Sequence, residues 1–364
     1  MSISTASPRS GRAATSWFAS RAGRATVGVE AGEARWKLAQ LRGRPDTGTW
    51  RTASFHLDEE PDRARGWREG LRAAGIGAGH AVCALGQPAV DIFPLALDAN
   101  SPPALEREIV TRAQEHLGYP LAEAVLDYAL LPRAVRRSAA AGASALVFAV
   151  ARSRIEPLLA RLAAAGLAVD RIVTPACAVA ACLPAQPGAR RLAICSADEV
   201  ASVAIIQEGA VLLERLLPWG LQRLAERLAG ELSLPLAQAR DLLSGGPAMP
   251  PAATAESDLD SAVEQILGPA LRDIAQEASA CLGYCDSFLQ PLNASGAVLL
   301  GPLAHLHPLR LLIEQELGLG IENASALAVA RGGPDPAFDL AACCALWPAA
   351  SAGGNGGDVR EEER

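Results

Sequence analysis

The residues best suited to chemistry lie near the start of the chain. Gly28, Glu30, Gly32 and Lys37 fall in the run VGVEAGEARWK over residues 27–37. Glycine in a hairpin turn lets backbone amides approach phosphate oxygens. An acid at a strand end can hold hydrated Mg²⁺, and a cation further along can meet phosphate charge. Lys37 is the only lysine in the chain, among 33 lysine and arginine residues. A codon bias toward Ala and Arg accounts for the scarcity of lysine, but not for the place of the one that remains. The pattern is short, and a simple hairpin pair of Glu30 and Lys37 is its plain structural reading.

Other reactive types read as structural. The eight cysteines, Cys83, Cys177, Cys182, Cys195, Cys281, Cys285, Cys343 and Cys344, form no CxxC pair and no Cys/His cluster with zinc spacing. Most sit in apolar runs, where a free thiol acts as a small hydrophobe in a reducing compartment. Cys281 and Cys285 share a helix face and read as packing. His305 and His307 lie two apart, hence on different helix faces. Asp58, Glu59 and Glu60 read as an acidic lead into a helix. No GxGxxG run follows a strand, which excludes a dinucleotide-binding dehydrogenase at the motif level.

These groups need a scaffold, and 364 residues exceed what one core usually fills, so two lobes are expected. Half the residues are hydrophobic and 20% are charged, a globular composition. The net charge of −7 provides no global field for nucleic acid. The longest apolar stretches, 138–151, 172–186 and 294–313, are too short or too broken by proline and charge to span a bilayer. Residues 1–24 carry arginines around Trp17 and Phe18 without an apolar core, so a disordered or membrane-surface leader is expected rather than a secretory signal.

Periodicity and breakers predict the elements. Strands are expected over 26–30, 35–41, 52–57 and 81–85, with a helix over 61–74. A helix over 103–117 starts at proline and stops at Gly118. Strands at 122–130, 143–151 and 168–173 alternate with helices at 154–165 and 176–183, which predicts α/β layers. A second meander follows at 192–196, 201–207 and 211–217, then helices at 221–232, 235–243 and 258–289, the last with Gly268-Pro269 as a kink point. A strand at 297–301 and helices at 303–317 and 338–347 close the chain. Each half thus opens with a hairpin whose turn can face the other half, as a two-lobed nucleotide cleft requires.

On these residues the chain resembles the PilM and FtsA-type family of actin-like proteins. Gly28, Gly32 and Lys37 match its first phosphate hairpin, and Glu30 stands where the family has Asp. LGYPLAEAVLDY over 117–128, RSRIEPLL over 152–159, AAGLAVDRI over 164–172, GAVLLERLLPWG over 209–220, LSLPLAQA over 232–239, AVLLGP over 297–302 and the segment 311–320 follow in family order. The similarity covers about residues 25–330. It implies an α/β, two-lobed actin-like (ribonuclease H-like) ATPase fold with an inserted α/β subdomain. The first lobe would span 25–189 with an insert of about 81–171, and the second 190–330 with a helical subdomain of about 220–290. A helix over 331–348 would return to the first lobe, before a disordered tail over 349–364.

The resemblance also implies a function. It is that of a cytoplasmic component of the type IV pilus alignment complex, at the inner face of the inner membrane and tied to twitching motility. Its partners would be the cytoplasmic tail of a PilN-like membrane protein, bound near the insert, and other alignment-complex proteins. ATP and Mg²⁺ would be the cofactors, with Gly28, Glu30, Gly32, Lys37 and Gly301 at the nucleotide and Glu30 on Mg²⁺ through water. Departures weaken hydrolysis. In ICSADEVAS over 194–202, Cys195 replaces the family acid and Ala197 the glycine. Asp198 or Glu199 could supply a nearby charge, but at a different strand phase, which alternation aims differently. Pro302 follows Gly301 and removes an amide donor. Three readings stay open: nucleotide as a structural ligand with little turnover, a working ATPase, and an MshI-like scaffold with no nucleotide.

Overall fold

Strand β1 (Val27–Ala31) and strand β2 (Arg35–Arg42) form the expected first hairpin, and β3 (Thr49–His56) extends it. The computed structural model describes residues 26–32, 35–43, 48–57, 63–77, 79–85, 90–99, 101–132, 143–183, 186–244, 255–289, 292–322 and 336–353. Helix α1 (Arg63–Ala73) and strand β4 (Gly79–Leu85) follow. Next come β5 (Val90–Leu97), α2 (Pro102–His116), β6 (Ala124–Leu130) and β7 (Ala143–Ala151), then α3 (Arg152–Ala164), β8 (Leu167–Val173) and α4 (Pro175–Cys182). The second half holds β9 (Arg190–Ser196), β10 (Ala201–Gln207) and β11 (Ala210–Leu217), then α5 (Leu221–Leu232), α6 (Leu236–Leu243) and α7 (Ala255–Phe288). It ends with β12 (Ala294–Leu300), α8 (His307–Leu317), β13 (Ile321–Glu322) and α9 (Asp339–Gly353).

The two halves repeat one topology. The first sheet runs β3-β2-β1-β4-β8 and the second β11-β10-β9-β12-β13. In each, an antiparallel meander gives way to parallel strands: β1 pairs β4, and β4 pairs β8; β9 pairs β12, and β12 pairs β13. A third sheet, β5-β7-β6, stands apart with α2 against it. The insert is narrower than the 81–171 expected from the sequence, because Gly79–Leu85 and Leu167–Val173 pair within the first sheet. Sequence reading left β5 and the two-residue β13 unassigned; for β5 the reason is clear. Its Pro94 obscures the pattern, and proline is tolerated there because β5 lies at a sheet edge.

Three hydrophobic cores follow this division. Val27, Val29, Trp36, Trp67 and Leu162 fill the first lobe, and Phe93, Leu97, Ile109 and Val147 fill the insert. The largest core joins the second lobe to α4 and α9. Helix α9 rests on β1, β2, β4 and α4 through small residues, Ala341, Ala342, Cys343 and Cys344, all buried. Helix α4 begins at Pro175, with Thr174 capping the Cys177 amide. Glu214 of β11, fully buried, accepts hydrogen bonds from the Thr174 hydroxyl, the Ala176 amide at 3.0 Å and the Ser202 hydroxyl at 2.8 Å. That one carboxylate ties the start of α4 to the second sheet. Helix α7 runs through Pro269 as one element. The leader over 1–24, Asp58–Glu60 and the loop over 245–252 lie outside the described residues, as does the tail beyond 353.

Candidate functional site

The alternation of β1 decides which residues face the cleft. Val27, Val29 and Ala31 enter the first-lobe core, so Gly28 and Glu30 point to the opposite face. Glu30 lies directly across the ladder from Lys37, which places the two side chains on that face together. Arg35, two residues before Lys37 on the same strand, joins them. The amide of Gly32 donates to the Arg35 carbonyl at 3.0 Å and closes the turn.

The second lobe supplies the other half of the cluster. Strand β9 ends at Ser196, and a tight turn follows in which the Ala197 amide donates to the Val200 carbonyl at 2.8 Å. The first turn of α5 pins this loop, with the Leu221 and Gln222 amides donating to the Ala197 and Asp198 carbonyls. Asp198 therefore projects into the cleft. Its amide donates to Glu30 Oε1 at 3.1 Å. Its carboxylate receives Lys37 Nζ at 2.7 Å, Arg240 NH2 from α6 at 3.0 Å and Arg35 Nε at 3.9 Å. Lys37 Nζ also lies 3.6 Å from Glu30 Oε1. Gln222 holds Arg240 through its side-chain oxygen.

This cluster is buried: Glu30 and Lys37 are each 3% exposed and Asp198 5%. Burial raises the Glu30 carboxyl to about 7, with Lys37 opposing and Asp198 reinforcing the rise. Burial works against the Lys37 ammonium, but the two carboxylates outweigh it and hold its pKa above the ordinary value. Burial also pushes Asp198 up, and Lys37, Arg240 and Arg35 overcome that push and hold it down. The plain surface-pair reading of Glu30 and Lys37 is therefore replaced by a buried one that crosses the lobes.

Gly301 sits at the end of β12 with φ +80°, where a side chain would be strained and a Cβ would lie 2.0 Å from the Ser196 carbonyl oxygen. Its amide donates to Asp339 Oδ2 at 3.0 Å, at the start of α9. Ser196 Oγ accepts from the Leu303 amide at 2.9 Å, so the Gly301-Pro302 turn is tied to β9.

No family model matches the chain, and no curated protein does. Among solved structures, a chain of a PilM–PilN type IV pilus biogenesis complex matches it with a TM-score of 0.69 at 21% identity, covering 89% of this chain and 98% of that one. The fold is actin-like. The ethanolamine utilization protein EutJ from Carboxydothermus hydrogenoformans matches with a TM-score of 0.50 at 14% identity, over 90% of this chain and 91% of that one.

Within this actin-like cleft the five residues singled out from sequence do gather at the first hairpin and at the β12 turn, but most of their polar groups are already engaged within the chain. A Cβ at Gly28 would lie 1.8 Å from the Ala341 carbonyl oxygen and 2.4 Å from the Ala345 nitrogen, so the glycine makes room for α9. The Gly32 and Gly301 amides have acceptors within the chain. Lys37 is enclosed by carboxylates, and Glu30 accepts from the Asp198 amide and faces the Lys37 ammonium at 3.6 Å. Cys195, in the place of the family acid, is a buried thiol pushed well above its ordinary pKa by burial and offers no charge. As placed, these groups do not fit a nucleoside triphosphate with Mg²⁺.

Sequence reasoning missed Arg240 and Arg35, and named Asp198 only as a nearby charge at another strand phase. Asp198 was aimed away from the cleft by strand alternation, but it lies beyond the end of β9, where a turn sets its direction instead. Arg240 carries no local signal, since an arginine on an amphipathic helix is ordinarily solvated.

Proposed function

We propose that this chain is an actin-like scaffold of a type IV pilus assembly machine, stationed at the cytoplasmic face of the inner membrane and holding the tail of a PilN-like membrane protein. The observation that carries this reading is the match to the PilM–PilN complex over 98% of that chain. Among the described residues no helix is long and apolar enough to cross a membrane, consistent with peripheral attachment through a partner. The insert suits an extended peptide. In the described sheet β5 and β6 each pair only with β7, and an edge strand can accept another strand by backbone hydrogen bonding.

The geometry favours a scaffold that needs no nucleotide, because Lys37 and Asp198 join the lobes directly. The other reading holds ATP with Mg²⁺ as a structural ligand at Gly28, Glu30, Gly32, Lys37 and Gly301, with slow turnover. It requires Lys37 to leave Asp198. The test is capture of a synthetic cytoplasmic tail from the PilN-like protein of the same genome, measured by calorimetry with and without ATP and Mg²⁺. Micromolar binding unaffected by nucleotide is the expected outcome. Absence of binding by folded protein would overturn the pilus reading, and binding that depends on ATP would restore the nucleotide-liganded one.

A further inference from the structure

We propose that Asp198 acts as a built-in anion, its carboxylate filling a cationic pocket between the lobes that accepts a phosphate-class oxyanion once that side chain is removed. Three cations from two lobes converge on this one side chain: Lys37 at 2.7 Å, Arg240 at 3.0 Å and Arg35 at 3.9 Å. Lys37 and Arg35 come from β2, and Arg240 comes from α6. Glu30 faces Lys37 from β1 at 3.6 Å, and Glu199 borders the pocket beside Gly32. The point where all three cations meet is thus occupied by a carboxylate that the chain supplies itself.

The backbone beneath Asp198 is held independently of its side chain. The Asp198 carbonyl accepts the Gln222 amide at 2.8 Å, and the Asp198 amide is fixed on Glu30. The Cβ of Gly220 would strike this loop at 2.2 Å, so helix α5 packs closely behind it. Truncating the side chain therefore leaves a void facing cations rather than a collapsed loop. Buried cations without a counter-charge are costly, and a guanidinium fork and an ammonium match tetrahedral oxyanions well. Such a void favours capture of an anion from solution. In the native chain Asp198 joins the lobes through its ion pairs with Lys37, Arg240 and Arg35. This inference rests on the cluster alone and holds whatever partner the chain serves.

The experiment compares wild type, Asp198→Ala and Asp198→Asn, with inorganic pyrophosphate as the probe and sodium chloride matched for ionic strength. Thermal melts and titration calorimetry are the readouts. Wild type is expected to show no pyrophosphate-dependent shift. Asp198→Ala is expected to melt lower, to regain Tm in millimolar pyrophosphate, and to bind the probe at least about tenfold more tightly than wild type. Asp198→Asn keeps the pocket filled while removing the charge, so its Tm falls and is not regained. Adding Lys37→Ala to the Asp198→Ala chain is expected to abolish the rescue. An Asp198→Ala protein indifferent to pyrophosphate, wild type that binds equally well, or rescue that persists without Lys37 would each overturn the proposal. Should Asp198→Ala fail to fold in dilute buffer, refolding is compared in pyrophosphate and in chloride. Recovery only in pyrophosphate supports the pocket, and equal failure in both overturns it.

Discussion

Glu30 shows how one side chain can carry the pH behaviour of the cleft. Its ordinary value of 4.5 is raised to about 7 by burial, and the folded chain therefore binds more protons than the unfolded chain between these values. Stability falls as pH rises through that window, by up to about 1.4 kcal/mol per pH unit. Facing Glu30 are Lys37 and Arg35 from β2, Asp198 with its amide from the β9–β10 turn, Cys195 from β9 and Cys344 from α9. Both thiols are pushed well above their ordinary value by burial and stay neutral throughout. Asp198 works in the opposite sense, since its depressed pKa stabilises the fold above its ordinary value of 3.8 and that contribution fades in acid below it. Glu30→Gln is expected to flatten the slope of unfolding free energy between pH 4.5 and 7 in urea titrations. Part of the slope is expected to remain, because burial also raises Glu214, and a slope unchanged in the variant would mean that Glu30 does not carry the window.

Helix α9 shows how one element depends on a missing side chain. Its backbone passes so close to β1 that a methyl group at position 28 would overlap the Ala341 carbonyl. Gly28→Ala is therefore expected to lose at least about 1–3 kcal/mol in chemical denaturation, because backbone rather than a flexible side chain must move. Gly230→Ala provides the contrast. It lies exposed inside α5 with nothing within 4 Å of its Cβ direction, and its substitution is expected to gain about 0.5–1 kcal/mol through helix propensity. Equal effects at the two positions would contradict the packing of α9 on β1. Helix α9 itself was legible as an apolar run near the end of the chain, and the Gly28 motif was legible as a hairpin. That the one exists to admit the other was not, because the two lie at opposite ends of the sequence.

At the scale of the molecule, two sheets of the same topology are held together by α4 and α9 and by the ion cluster. Helix α9 covers β1, β2 and β4 of the first lobe and packs on α4, and its Leu340, Cys343, Cys344 and Leu346 belong to the large core that joins α4 to the second lobe. Ending the chain after residue 338 is therefore expected to remove the cooperative unfolding transition of both lobes, with loss of near-ultraviolet circular dichroism. A truncated chain that retains the wild-type transition would show that the lobes stand without it.

Local signals in the chain were enough for most elements and their order, β5 and β13 excepted. The meanders, the helix stops and the collinear motifs are local, set by side-chain period, proline, glycine and caps within a few residues. These signals also determined that Glu30 and Lys37 meet, since hairpin register couples neighbours on one ladder. What they meet is set by contacts between distant parts of the chain. Asp198 and Arg240 reach Lys37 from the other half of the chain, and the direction of Asp198 is set by a turn that α5 pins, not by strand alternation. The same holds for β4 and β8, since the parallel pairing of β4 with β1 and of β8 with β4 draws both out of the insert and into the first sheet. Contacts between distant segments leave no periodic trace in either segment, and charge satisfaction inside a cleft depends on all of them at once.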